Sequence, residues 1–178
     1  MNPAHLHLML IHFPIATAFL ALPLLGYAIL RRGDRGATGA AALVLAIGAG
    51  SAYFATETGE DAEEIVEELP GVSEAAISEH EERAETAMVL SIVTGLVGLG
   101  AAGLAFTGRT RPAQWVLGAA LLADAATSGA MAWTANAGGA IRHPEIVDGA
   151  GGVAGDGSEA RSEGVGREEG GEGERDDD

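Results

Sequence analysis

The chain has 178 residues, 47% of them hydrophobic, a mean hydropathy of +0.18 and a formal charge of −16. The absence of cysteine excludes disulfides, thiolate metal sites and iron–sulfur clusters. With no basic stripe to neutralise phosphates, nucleic acid is excluded as a partner.

The charge is unevenly placed. Residues 56–85 carry twelve acids and one arginine, and residues 148–178 carry eleven acids and three arginines. Four nearly charge-free stretches flank the first acidic segment, two on each side, at about 8–30, 37–54, 84–106 and 113–133. At about 1.5 Å per residue, each is long enough to cross a hydrocarbon layer roughly 30 Å thick. The expected fold is therefore all-α: an integral membrane four-helix up-and-down bundle in a domain of residues 1–147. The lipid bilayer is its first partner.

In chain order, Asn2-Pro3 offers a helix cap and a first-turn proline. The first span holds Pro14 and Pro23, each of which removes a backbone donor, and Pro14 frees the carbonyl of Leu10 close to His12. No positive charge precedes this span, whereas Arg31, Arg32 and Arg35 follow it. That polarity fits an uncleaved anchor rather than a secretory signal. The second and third spans are rich in Ala and Gly, which lets helices approach closely.

Residues 58–83 read as an outer helical cap. Thr58-Gly59-Glu60-Asp61 resembles a capping box, and Ile65, Val66, Leu69, Val72 and Ile77 recur at helical spacing around a Pro70-Gly71 break. Two short amphipathic helices are expected, at about 60–69 and 73–83, the second running into span three. From residue 148 the composition predicts a disordered acidic tail.

Orientation follows from the arginines. The two tight connections hold Arg31, Arg32 and Arg35, and Arg109 and Arg111; the opposite side has Arg83 and Arg142 near span ends. The positive-inside rule puts the tight connections in the cytoplasm and both termini outside. Tyr27 and Trp115 then mark the inner interface, Tyr53 and Trp133 the outer. Arginine as the sole basic type beside His, with abundant Ala and Gly, suggests a GC-rich bacterial genome and hence a bacterial inner membrane.

All five histidines, His5, His7, His12, His80 and His143, fall at the outer end. Imidazole is the commonest metal ligand. Haem b needs two histidines on facing helices, and His12 with His80 is the preferred pair. Another transition metal would need three or four N or O donors, drawn from these histidines with Glu57, Glu60, Glu81 or Glu85. The plain alternative is interfacial imidazoles bonded to headgroups, carbonyls or the acidic loop, with no cofactor. Asp124, midway along span four, is costly in hydrocarbon and marks a proton or ion path, or a protonated acid bonded between helices. Thr17, Ser91, Thr94 and Ser128 are its candidate partners. No catalytic motif is present, so nothing points to an enzyme.

The run His7-x4-His12-Phe13-Pro14-Ile15, the Thr58-Gly59-Glu60 step, His80-Glu81 and the Gly138-Gly139-x-Ile141-Arg142-His143 ending together resemble an uncharacterised bacterial family of small four-helix membrane proteins, a domain of unknown function. The resemblance covers about residues 5–146. It implies the four-helix fold, a membrane location and histidines suited to haem or metal; it implies no reaction. Ala140 departs from the polar or acidic residue expected after the glycine pair in some relatives. Three functions are expected, in order: cofactor binding through the outer histidines with an electron-transfer role, a non-catalytic subunit of a larger membrane complex or homo-oligomer, and a proton or ion conduit through Asp124.

Overall fold

The computed structural model describes residues 2–143. They form helices α1 (Pro3–Leu10), α2 (His12–Leu30), α3 (Arg35–Val66), α4 (Glu74–Phe106) and α5 (Thr110–Arg142), with no strand among the described residues. The stretches Pro3–Leu30, Arg35–Val66, Glu74–Phe106 and Thr110–Ile141 are each long and apolar enough to cross a membrane. The expected acidic tail lies outside the described residues.

Local chemistry sets the boundaries. Asn2 caps α1 by accepting from the Ala4 amide at 2.9 Å. The helix breaks at Ile11, directly after Leu10, whose carbonyl gets no donor from Pro14, a residue without an N–H. Asp34 caps α3 through the Ala37 amide at 3.0 Å. Gly33, Gly71 and Gly108 take positive φ at the three connections, a conformation that costs other residues.

Of the two expected cap helices, the second runs into span three as expected, whereas the first is the continuous end of α3. α3 continues to Val66, and α4 starts at Glu74 and runs without interruption into the apolar stretch. Only the turn around Pro70-Gly71 is non-helical, as the sequence break implies. Nothing at a membrane surface ends a helix, so α4 and α5, with 33 residues each, extend about 50 Å, well beyond the hydrocarbon.

Each long helix packs on its chain neighbour, α2 also packs on α5, and α1 lies on α3. One core cluster joins Ala21, Leu25, Ala28, Ala41, Leu45, Ala101, Leu117 and Ala120. Small side chains fill the interior and large ones point outward: Leu96 is 64% exposed, Leu122 75% and Trp115 78%. In water that distribution would leave a large apolar surface uncovered; against lipid it costs nothing, and packing of small residues holds the helices together. Gly98 shows how close they come, since a Cβ there would lie 2.6 Å from Leu45 Cδ1.

Candidate functional site

At the end that carries the acidic connection, the carboxylate-rich ends of α3 and α4 stand clear of the apolar stretches, and two histidines face inward. His7 of α1 bonds through Nδ1 to the Ala55 carbonyl of α3 at 2.9 Å. His80 of α4 bonds through Nδ1 to the Thr134 carbonyl of α5 at 3.1 Å. A carbonyl only accepts, so each Nδ1 carries a proton, and in the neutral ring, which burial favours, Nε2 keeps its lone pair. Both rings lie on bare glycine backbone. A Cβ at Gly59 would meet His7 Cε1 at 3.3 Å, and one at Gly138 would meet His80 Cε1 at 2.9 Å.

The two imidazoles are near enough to influence each other's charge. Burial holds His80 below its usual value; the Thr134 carbonyl opposes this, while the charges of His7 and Arg83 add to it. Arg83 braces the same end. Its guanidinium lies 4.4 Å from the Trp133 ring centroid, donates to the Trp133 carbonyl at 3.3 Å and pairs with Glu79.

The other candidate ligands are placed differently. His12 is exposed, and its Nδ1 bonds within its own helix to the Leu8 carbonyl at 2.7 Å. The structure therefore sets His7, rather than His12, on the inward side with His80. Five residues turn a helix by about 140°, so His7 and His12 cannot share a face. His5, seven residues from His12, is exposed on the same outer side. His143 is exposed and caps α5 through its amide, bonded to the Gly139 carbonyl at 3.0 Å. Glu81, like Glu57, Glu60 and Glu85, is exposed. Its carboxyl shares a hydrogen bond with Glu63 and lifts Glu63 above the usual carboxylate range. Among the described residues no group of three or more His, Asp or Glu converges as a mononuclear metal ion requires.

A second polar region lies inside the bundle. Asp124 is 1% exposed, and neither of its carboxylate oxygens has a hydrogen-bond partner; the buried Ser128 hydroxyl also lacks one. A small cavity beside Asp124 is lined by Thr17, Ser91 and Thr94 from other helices and by Thr127 from its own. Three of the four partners expected from sequence thus line the cavity. Thr127 joins them because it follows Asp124 by three residues on the same face of α5.

No family model matches the chain, and neither a curated protein nor a solved structure matches it. The family resemblance thus rests on the His-Phe-Pro-Ile opening and its companion motifs alone.

Proposed function

We propose that this is a four-span, up-and-down protein of a bacterial inner membrane, with both termini outside the cytoplasm, that binds haem through His7 and His80 at its outer face. The observation that carries the reading is the pair of anchored tautomers. Ligating histidines characteristically donate their second ring N–H to a carbonyl or carboxylate, which fixes the ring and strengthens the donor nitrogen. His7 and His80 both do so, from separate helices, onto carbonyls of two further helices. His7 and His80 would hold a haem iron through their Nε2 atoms, whereas another transition metal would lack its third and fourth protein donors among the described residues. When bound, haem would supply one-electron redox chemistry.

An optical spectrum and metal analysis of detergent-purified protein, from cells well supplied with haem, test this directly. Wild type should carry a Soret band, and His7→Ala or His80→Ala should abolish it. His12→Ala and His5→Ala should retain it, because those rings face away. Colourless, metal-free wild type would sink the proposal.

The alternative, a non-catalytic subunit, draws support from Gly50, Gly100 and Gly103, which are exposed with nothing near them. Outward glycines admit close approach of another helix. On that reading mild-detergent purification brings down a stoichiometric membrane partner or a homo-oligomer, and no cofactor.

A further inference from the structure

The chamber beside Asp124 draws on all four long helices: Thr17 from α2, Gly48 from α3, Ser91 and Thr94 from α4, and Asp124 and Thr127 from α5. Its hydroxyl protons are nearly all committed elsewhere. Thr127 donates to the Ala123 carbonyl at 2.9 Å. The 3.0 Å contact between Thr94 and Thr127 therefore uses the Thr94 proton. Thr17 donates to the Phe13 carbonyl at 2.7 Å, with the Pro14 carbonyl at 3.1 Å. What these three residues still offer is lone pairs, and the two unpartnered Asp124 oxygens add more.

Gly48 is part of this construction. A Cβ there would lie 2.7 Å from Thr17 Oγ1, so the bare backbone gives the Thr17 hydroxyl its place. No Lys or Arg occurs in any of the four apolar stretches to balance the carboxylate.

A buried set of acceptors around one acid calls for positive charge. A proton balances the charge but supplies a single donor, fewer than the lone pairs that the lining offers. A divalent ion would leave net charge in hydrocarbon. The cavity, about 10 Å³, holds about one water-sized particle and no hydrated ion. Oxygen-only donors select hard cations.

We propose that Asp124, with the hydroxyl oxygens of Thr17, Ser91, Thr94 and Thr127, binds one dehydrated, sodium-sized monovalent cation at the centre of the bundle, in exchange for a proton. In the exchange the Asp124 O–H bond breaks, the proton leaves to water, and the cation takes its place on the carboxylate, so charge balances. The site does not depend on the histidine reading.

The test uses the full chain in nanodiscs of zwitterionic lipid. Thermal unfolding is followed while sodium chloride replaces choline chloride at constant ionic strength. Sodium should raise the midpoint by at least a few degrees, and potassium by less. Where protons compete, the half-saturating sodium concentration should rise about tenfold for each pH unit of acidification. Asp124→Asn should lose the shift, and Glu85→Gln at the acidic end should keep it. In wild type, infrared difference spectra should lose a protonated-carboxyl stretch on sodium addition. That measurement stands even where Asp124→Asn fails to fold. Gly48→Ala, which displaces the Thr17 hydroxyl, should raise the half-saturating concentration at least several-fold. Identical unfolding and infrared spectra in sodium and choline would overturn the proposal, as would an equal sodium shift in folded Asp124→Asn.

Discussion

The two polar regions of this bundle solve burial in opposite ways. At the acidic end, His7 and His80 each have one nitrogen bonded to a backbone carbonyl of another helix and one left over. At mid-bundle, Asp124 and Ser128 are buried with no partner at all. A satisfied group is held in place and can offer its remaining lone pair to a guest. An unsatisfied one costs about 1–3 kcal/mol per group until something fills the gap. The first region is held in place by bonds between helices, and the second is left with buried polar atoms that no side chain or carbonyl meets.

The sharpest way to break the contrast is to disturb the anchored end. Valine at Gly138 would drive its Cβ into His80, whose Cε1 lies 2.9 Å from the position a Cβ would take. The ring must leave the Thr134 carbonyl. Overpacking of this kind costs about 1–3 kcal/mol. Gly138→Val should therefore lower the unfolding midpoint in detergent and remove any haem absorbance. Gly139→Val, where a Cβ meets nothing within 4 Å, should do neither. Equal effects of the two variants would mean that the ring contact is unimportant.

The unsatisfied region should respond in the other direction. Leucine reproduces the fork of aspartate with methyls in place of the two oxygens, and the adjoining cavity gives it slack. In sodium-free medium, Asp124→Leu should be more stable than wild type by on the order of 1–2 kcal/mol, because an unpartnered polar group is removed. Thermal unfolding measures this. A destabilised Leu variant would show that Asp124 has a partner worth more than its burial costs.

These contrasts also mark what the sequence could disclose. The apolar stretches and the mid-span position of Asp124 were legible because hydropathy and length are additive along the chain. Thr17, Ser91 and Thr94 were legible as neighbours of Asp124 because few polar residues occur in the spans at all, although none of them bonds to it. The inward histidine was not. His12 sits in the most distinctive motif, close to Pro14, yet its ring is exposed and bonded within its own helix. Which side of α1 and α2 faces the bundle is a tertiary fact: Pro14 and Ala18 are buried while Phe13 is 56% exposed. The 140° between His7 and His12 says that one of them must face out, and only packing says which. The role of Gly59 and Gly138 as ring platforms lies equally beyond reach, since each contact joins residues about fifty or more positions apart.

The smallest effect separates the groups of the acidic end by pH. Burial keeps His80 neutral in the folded protein, with its value lowered from 6.5, so the unfolded chain binds the proton more readily. The stability that neutral His80 contributes is present above pH 6.5 and is lost as pH falls below it. Glu63 works in reverse. Its hydrogen bond with Glu81 raises it from 4.5, so the folded form holds the proton more tightly, and stability declines as pH rises from 4.5. Wild type and the His80→Asn and Glu63→Gln variants can be compared by unfolding across pH 4–8. Subtracting each variant from wild type cancels every other titrating group. The His80 difference should climb with pH up to about 6.5 and then level off. The Glu63 difference should fall just above 4.5, and by less, because both carboxyls are wet and screened. A His80 difference that rises as pH drops would mean that the ring is held as the cation, leaving Nε2 protonated and unable to bind a metal.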